Sequence, residues 1–562
     1  MKKVALLIGT SILGFLFVGM NLLSPNRVDE PRSFDPQWSA HNDAEQTIAK
    51  VNAEFRDYWQ TEDLQFAGQA DDLLIARRIS LALTGTVPSL EEIRALESKP
   101  AEERVNWWVS YLLKDQRYPD YFAERFARAY VGVENGPFLI YRRRRFVSWL
   151  SERFAQNRPY NEMVHDILTS EGLWTNSPPV NFFTVTVDQN GTKQPDPIRL
   201  AARTSRAFLG MRIDCLQCHD DKLGGIDLGT TRRGGVQQDF HQLAAFFAET
   251  KSTGGGLADK KGEEYNYKFL GKEEQELVRF SVPYQPELLP ENGDRREKLA
   301  GWITHKENKP FARAIVNRVW ALMFGKPLQT PIDNILLHGQ PYQIGKPAGQ
   351  IVANEYSPGL QTLADDFMEH GYDLQRLIRL IVATEAFQRD WRADFEVTNH
   401  HENKFAVFPL TRLRPEQVSG SVIQAASLST INVDSHIIAK LGQFGQTNDF
   451  INRFGDTGED EFDERNSTIP QRLVLMNGQL VGNNSQANAL SLNAPGQIAR
   501  LTNDDATAIE TLFLVTLTRR PNETELQHFG ERLRGLNGPE HVRAVEDMYW
   551  LYFNSTEFNS NH

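Results

Sequence analysis

Helical spacing of the apolar residues is the feature that most limits what this chain can fold into. Along most of its 562 residues, apolar side chains recur every three or four positions, as on one face of an α-helix. Residues 71–97 show the pattern clearly, because a Gly-Thr-Val-Pro break separates two such segments. Ser89 is the predicted N-cap of the second segment, and Glu92 completes a capping box.

Strand patterns are scarce by comparison. The sequence NFFTVTV at 181–187 is the best of them, since it is rich in aromatic and β-branched residues. Residues 198–211 again have helical spacing and lead directly to the only cysteines. The sequence therefore predicts a mainly α, multi-helical fold in two helical halves, with long irregular loops and few short strands.

Changes in composition predict how the chain is organised. Residues 251–300 are polar and rich in Gly, Lys and Glu, so we expect the main boundary there. The predicted order is a signal anchor or signal peptide at 1–23, a linker at 24–43, a helical domain at 44–250 that contains the cysteines, a connecting segment at 251–300 and a second helical domain at 301–556.

The N-terminus has the pattern of an export signal. Lys2 and Lys3 precede an uncharged apolar stretch at 4–23, which is also long enough to cross a bilayer. Neither a small-x-small cleavage site nor a lipobox cysteine follows, so we favour an uncleaved inner-membrane anchor with the two lysines inside. A cleaved signal peptide and a secreted form remain open. In both cases we expect the body of the protein on the periplasmic or cell-surface side.

Composition and charge narrow the class of partner. Apolar residues make up 40% and charged residues 24% of the chain, as in a soluble globular protein with a packed core. The net charge of -12 disfavours nucleic acid, whose phosphates require an excess of Lys and Arg. The run of four arginines within residues 141–146 is a local exception. We interpret it as a solvated helix face with some salt bridges, the alternative being a phosphate or lipid patch.

Both cysteines lie in the sequence RIDCLQCHDDK at 212–222, as Cys215 and Cys218, with His219 directly after the second. Two thiols at this spacing suit the two vinyl groups of one haem, and the adjacent imidazole can bind the iron. The predicted export signal agrees with this interpretation, because c-type haem is attached outside the cytoplasm. We therefore predict one covalent haem c, bound by Cys215 and Cys218, with His219 as the proximal ligand of the iron.

Two other interpretations of these residues stay open. Oxidising surroundings would favour a Cys215–Cys218 disulfide, which leaves His219 unexplained. A zinc or iron site built from Cys215, Cys218, His219 and an aspartate would need distant ligands, because the chain has no further cysteine. A redox-active C-x-x-C would require a βαβ pattern, and none precedes it.

The second axial ligand of the iron is less clearly indicated. His241 in QQDFHQLAAFF is the first candidate, because its segment is expected to fold back on the cysteines, and Met211 is the second. His165 and Met163 are more distant candidates, and an open or water-bound iron is equally compatible. No catalytic residues can be assigned. Aspartates 220, 221 and 239 suit capping or solvated roles better than acid/base chemistry, and the glycine-rich stretch 224–235 reads as a loop.

Several stretches resemble, in order, a two-part family of uncharacterised proteins that is abundant in planctomycetes. Its halves are called the DUF1549 (planctomycete cytochrome C-like) and DUF1553 domains. The first half is similar at 76–93, 157–168, 206–221 and 238–247, and the second at 311–328, 377–390, 412–426, 464–478 and 512–526. The resemblance implies an exported protein suspected of binding c-type haem, whose reaction is not established. It carries over only Cys215, Cys218 and His219.

The chain departs from that family just after the motif. Members usually continue with a second His and a Pro, where Asp221 and Lys222 stand here, and His241 falls where an aromatic residue is commoner. We expect an electron-transfer protein with a redox partner protein, and the sequence indicates no substrate. Two alternatives are a haem-free binding or structural protein with a disulfide, and a haem enzyme with an open iron site.

Overall fold

The protein is described from a computed structural model. It covers residues 35–41, 43–133, 141–187, 192–221, 228, 235–335, 357–431, 437–455, 462, 468–488, 493–502 and 504–562. The predicted anchor at 4–23, most of the linker and nearly all of the glycine-rich stretch 224–235 lie outside these residues.

The fold is mainly helical, as predicted. The helices before the predicted boundary are α1 Trp38–His41, α2 Ala44–Thr61, α3 Asp72–Thr84, α4 Leu90–Glu97, α5 Ala101–Leu112, α6 Arg117–Val131, α7 Arg143–Ala155, α8 Tyr160–Thr169, α9 Asn181–Thr184, α10 Pro197–Leu209 and α11 Gln237–Ala244. The helices that begin at the end of that boundary segment or after it are α12 Arg295–Ile303, α13 Lys309–Phe324, α14 Leu360–Glu369, α15 Leu374–Ala383, α16 Glu385–Gln388, α17 Asn399–Asn403, α18 Pro415–Ala425, α19 Ile437–Phe454, α20 Ile469–Asn477, α21 Gln479–Ser485, α22 Ala494–Leu501, α23 Asp505–Leu517, α24 Glu523–Leu533 and α25 Pro539–Phe553. In the described part of the chain, no helix combines the length and apolar character needed to span a bilayer.

The strands form short antiparallel pairs. They are β1 Thr250–Thr253 with β2 Gly256–Asp259, β3 Asn266–Tyr267 with β4 Glu276–Leu277, and β5 Thr411–Arg412 with β6 Ser560–Asn561. The first two pairs lie within the segment 251–300 or at its edge. That polar segment therefore folds into two hairpins.

The strand predicted at 181–187 is wrong. Residues 178–180 form a 3₁₀ turn, and α9 follows it directly. Phe182 and Phe183 are consecutive and both fully buried, the first against Phe208 and the second against Phe247. Consecutive side chains of a strand point to opposite faces. A helical turn inside the core can bury both, so tertiary packing overrides the β propensity of this segment.

The capping prediction at Ser89 is confirmed. Its hydroxyl accepts from the Glu92 N–H at 3.0 Å, and the Glu92 carboxylate accepts from the Ser89 N–H at 2.9 Å. Before this cap, Gly85 ends α3 with a φ of 71°. A Cβ at Gly85 would lie 2.5 Å from the ring of Tyr121, so glycine is needed there for both conformation and space.

The arginine run is only partly solvated. Arg144 and Arg145 are exposed on α7. Arg143 is buried instead, and its two terminal nitrogens each donate to a different oxygen of Glu124 at 2.9 Å. This bidentate pair holds α7 against α6, so Arg143 has a structural role within the fold.

Two apolar clusters form the core, and both join residues from either side of the predicted boundary. The larger consists mainly of residues 44–408, with Phe55 of α2 stacked on Trp320 of α13 at 5.7 Å between ring centroids. The smaller lies mainly among residues 413–558 and also takes Leu81 and Val87 from the N-terminal part. The helices before and after 251–300 are therefore packed into common cores.

Candidate functional site

Helix α10 brings the chain to the cysteines. Asp196 caps its first turn by accepting from the Ile198 N–H at 2.9 Å, and Gly210 ends it with a φ of 59°. A Cβ at Gly210 would lie 3.1 Å from Ile335 and 3.2 Å from Ala314. The Gly210 carbonyl also accepts from the Ile335 N–H at 2.6 Å. The start of the cysteine segment is thus fixed against the second half of the protein.

The residues Cys215 to His219, called here the cysteine motif, begin in a 3₁₀ turn at Asp214–Gln217. The Cys215 carbonyl lies 3.3 Å from the Cys218 nitrogen and 3.4 Å from the His219 nitrogen, so it accepts from both N–H groups. Leu216 is fully buried and anchors the turn, whereas both cysteines are exposed free thiols. The turn therefore presents two thiols, one from each end, on the protein surface.

His219 is exposed and has one ring nitrogen in use. Its Nδ1 lies 3.0 Å from the carbonyl oxygen of Asp220. A carbonyl oxygen can only accept, so the proton of a neutral ring is on Nδ1. That assignment leaves the lone pair on Nε2. Histidines that bind metal through one nitrogen commonly donate the other N–H to a carbonyl in this way.

Three side chains converge on the backbone carbonyl of Gln217, which lies between the cysteines. Its oxygen is 3.0 Å from Gln237 Nε2, 3.1 Å from His241 Nε2 and 3.0 Å from the Tyr267 hydroxyl. Gln237 and His241 are one turn apart on α11, and Tyr267 is in β3. We call Gln237, His241 and Tyr267 the Gln217 clamp. It ties the cysteine motif to a helix and to a hairpin.

His241 is wholly buried beneath the motif, and both of its ring nitrogens have partners. Because Nε2 donates to the Gln217 carbonyl, Nδ1 is the acceptor, and the Tyr265 hydroxyl donates to it at 2.8 Å. The ring stacks on Tyr267 at 3.4 Å between centroids. Burial lowers the pKa of His241 below its usual 6.5, against the opposing effect of its hydrogen bond to Gln217. His241 is therefore neutral at neutral pH.

The aspartates near the motif cap α11. Asp220 accepts from the Gln237 N–H at 2.9 Å, and Asp239 accepts from the Val236 N–H at 2.9 Å. Carboxylates at a helix N-terminus satisfy free backbone donors and complement the helix dipole. In addition, the Asp221 N–H donates to the Gly235 carbonyl at 2.9 Å. These contacts close the chain on itself across residues 222–234, most of which lie outside the described set.

The other candidate ligands lie in different surroundings. Met211 and Met163 are buried in the larger apolar cluster, at 3% and 1% exposure. His165 is exposed on α8. Within the residues that the structure describes, no group of three or more His, Cys, Asp and Glu side chains could hold a metal ion. Among the described residues, His241 is the one of these candidates with a hydrogen bond to the cysteine motif, and it reaches the motif through the Gln217 carbonyl.

Sequence reasoning missed Gln217, Gln237, Tyr265 and Tyr267. A weak signal was available for Gln237, because it precedes His241 by four residues in a segment with helical spacing. The tyrosines had no such signal. Tyr265 is 24 residues from His241, and Tyr267 is 50 residues from Gln217, in a segment that reads as polar and irregular.

The residues of the motif fit a covalently held haem. Both thiols are free and accessible, and the Nε2 of His219 carries the lone pair. Tyr267 is an aromatic neighbour of Cys218. Burial raises the pKa of Tyr267, and the negative charge of a nearby Cys218 thiolate raises it further. Leu270 adds an apolar side chain that is 74% exposed, and its N–H donates to Gln237 Oε1 at 3.0 Å. The motif therefore has an aromatic neighbour in Tyr267, and the backbone of Leu270 is linked to the motif through Gln237.

Two family models match the chain. PSCyt2, described as a protein of unknown function (DUF1549), matches residues 50–252, and PSD1, described as a protein of unknown function (DUF1553), matches residues 295–533. No curated protein and no solved structure matches it. The cysteine motif, Gln237 and His241 fall within the first match. Tyr265 and Tyr267 fall between the two matches.

Proposed function

Since the chain belongs to the family of proteins that carry a DUF1549 domain followed by a DUF1553 domain, we propose that it holds one covalent haem c and acts in electron transfer. One observation supports this most directly. The two free thiols are exposed, one within a 3₁₀ turn and one directly after it, and the next residue, His219, has its Nδ1 engaged and its Nε2 available. A disulfide would account for the thiols but not for the histidine.

In this proposal each residue of the motif has its own role. Cys215 and Cys218 would hold the group through thioether bonds, and His219 would bind its iron through Nε2. The bound haem supplies an iron that takes up and releases one electron. Asp220 orients His219 by accepting its Nδ1–H, which fixes the tautomer and the ring plane.

The surface position of the motif suits exchange of electrons with another protein. Cys215, Cys218 and His219 are all exposed, so a redox partner could approach a group attached to them. We infer that the partner is a redox protein outside the cytoplasm. Support for this location comes from the sequence: the lysines at 2 and 3 and the apolar stretch at 4–23 suit an inner-membrane anchor, with the body on the periplasmic or cell-surface side.

A second candidate function is that of a haem enzyme with an open iron position. Of the candidates for a second axial ligand, His241 is buried with both ring nitrogens hydrogen-bonded, and Met211 is buried in the larger apolar cluster. His219 is then the one protein ligand that we assign to the iron. An iron with a vacant position can bind small ligands, which an electron carrier with two protein ligands resists.

A spectroscopic experiment tests the proposal. The full chain is produced with a c-type haem maturation system, and the absorption spectrum is recorded before and after denaturation. We expect a haem spectrum that survives denaturation in the wild type and is lost in the double variant that combines Cys215→Ser with Cys218→Ser. His165→Ala is the matched control, because His165 is an exposed histidine outside the motif.

Carbon monoxide added to the reduced protein then separates the two candidate functions. Rapid formation of a carbonyl complex supports the open-site enzyme, and its absence supports the electron carrier. A wild-type protein that carries no haem contradicts both. In that case the haem-free binding or structural protein with a Cys215–Cys218 disulfide is the remaining candidate.

A further inference from the structure

The carbonyl oxygen of Gln217 accepts from three side chains of two different elements. A carbonyl oxygen has two lone pairs, so three donors exceed its ordinary number of partners. Backbone carbonyls in a surface turn are usually satisfied by water or by one neighbour. This concentration of donors falls on the peptide that joins Gln217 to Cys218. It fixes the orientation of the backbone immediately before the second thiol and the histidine.

We propose that His241, Gln237 and Tyr267 are positioning residues of the haem site. The inference rests on the proposed function, and it gives His241 a different role from that of an iron ligand. By holding the Gln217 carbonyl inward, the clamp keeps the Cys218 thiol and the His219 imidazole on the outer side of the turn. Each residue acts through the peptide and not through contact with the iron.

The hydrogen bonds of His241 support this role. Its Nε2 donates to Gln217 and its Nδ1 accepts from Tyr265, so neither nitrogen has a lone pair to offer. Tyr265 fixes the tautomer that the clamp needs, because only the Nε2–H form can donate to a carbonyl. Reaching an iron would require His241 to leave the Gln217 carbonyl, the Tyr265 hydroxyl and the stacked ring of Tyr267.

The hairpin of β3 and β4 is thereby part of the haem site. It supplies Tyr267 to the clamp and brings the N–H of Leu270 to the Oε1 of Gln237, the atom opposite the one that donates to Gln217. Gln237 therefore bridges hairpin and motif with both ends of its amide. The hairpin lies between the two family matches, so this support for the motif is additional to the matched domain.

The test begins with the reduced, haem-free protein. Amide hydrogen exchange is measured on the peptide that contains Cys218 and His219, whose N–H groups bond to Cys215. We expect Tyr267→Phe and His241→Phe to raise its exchange rate about three- to tenfold, the range for losing one hydrogen bond. His241→Gln, which retains a donor, should recover part of the protection. Tyr284→Phe is the matched control, because it removes a buried tyrosine hydrogen bond to Asn308 away from the motif.

The second measurement uses the haem-loaded protein. A positioning role predicts that His241→Phe and Tyr267→Phe both shift the reduction midpoint potential and lower the yield of covalent haem. The spin state of the iron should stay that of the wild type in both variants. Tyr284→Phe should change neither. Conversion of a low-spin to a high-spin iron in His241→Phe alone would overturn the proposal, because it would identify His241 as a ligand.

The two proposals can fail separately. Unchanged exchange of the motif peptide in both clamp variants overturns the clamp, whatever the haem content. A wild type without haem contradicts the proposed function, while the exchange data still decide whether the clamp holds the turn. Tyr267→Phe keeps the test valid if His241→Phe does not fold, since Tyr267 is only partly buried and the change is isosteric.

Discussion

The Nε2 atom of His241 lies 3.1 Å from the carbonyl oxygen of Gln217, the residue that precedes the second cysteine. This contact links a buried histidine to an exposed attachment turn through the backbone. It places His241 behind the motif, with Tyr265 on its other nitrogen at 2.8 Å. We therefore expect His241 to stay neutral and, through its hydrogen bond to Gln217, to hold the backbone of the cysteine motif in place.

We expect the free energy of unfolding to fall as the pH drops below about 6.5, in part because of His241. Burial lowers the pKa of His241 in the folded protein. Between the two pKa values the unfolded chain binds a proton that the folded protein does not. Acidification therefore favours unfolding, and the full contribution of His241 is present only above the unfolded pKa. Denaturant unfolding at about pH 7.5 and about pH 5.5 measures the effect.

His241→Gln supplies the control for that measurement. Glutamine retains a donor but does not titrate, so the loss of stability between the two pH values should be smaller than in the wild type. The wild type must be compared with His241→Gln because burial also lowers the pKa of His562, to about 3, so His562 contributes to the pH dependence of both proteins. An equal pH dependence in both proteins would show that His241 does not titrate as described.

Gly210→Ala should destabilise the protein by about 1–3 kcal/mol, the range for overpacking together with an unfavourable backbone conformation. Gly210 has a φ of 59°, and its added Cβ would meet Ile335 and Ala314. Gly254→Ala is the matched control, because Gly254 is exposed and has nothing within 4 Å of its added Cβ. Urea unfolding of the three proteins checks this. Equal losses in the two variants would mean that the end of α10 is not constrained as described.

Arg296→Met should lower the free energy of unfolding by about 3–5 kcal/mol, since it leaves the buried carboxylate of Asp259 without its charged partner. Arg296 is 2% exposed, and its Nε lies 2.8 and 2.9 Å from the two carboxylate oxygens of Asp259. It also donates to the Ser170 carbonyl at 2.7 Å. The comparison is Arg453→Met, which breaks an exposed pair with Asp449 and should cost less than about 1 kcal/mol. Similar unfolding midpoints for both variants would contradict this difference.

The packing of the helices predicts that the two family domains do not fold separately. Trp59 of α2 is fully buried and donates to the Lys404 carbonyl at 2.8 Å, and Phe55 stacks on Trp320. A fragment of residues 44–290 would expose this apolar surface to water. We expect it to be insoluble or to bind a hydrophobic dye, and to become soluble when co-produced with residues 291–562. A monomeric, cooperatively unfolding fragment 44–290 would refute this.

Sequence patterns correctly predicted the features that depend on interactions between residues close together in the chain. The helical segment predicted at 198–211 forms a helix at 197–209, and the Ser89 capping box forms as expected, because both signals lie within a few residues of the structure they specify. The strand predicted at 181–187 does not form, because two consecutive phenylalanines are buried there against Phe208 and Phe247, which lie further along the chain. The Gln217 clamp could not be foreseen from periodicity, since it joins residues that are far apart in the chain through one carbonyl.

The mass of the peptide that contains the cysteine motif shows directly whether haem is attached there. The wild-type chain, produced with a haem maturation system, is denatured and digested, and the peptide that contains Cys215, Cys218 and His219 is analysed. We expect one haem bound to this peptide through both cysteines, and none in the double variant that combines Cys215→Ser with Cys218→Ser. An unmodified dithiol peptide, or one that carries only a Cys215–Cys218 disulfide, would contradict it.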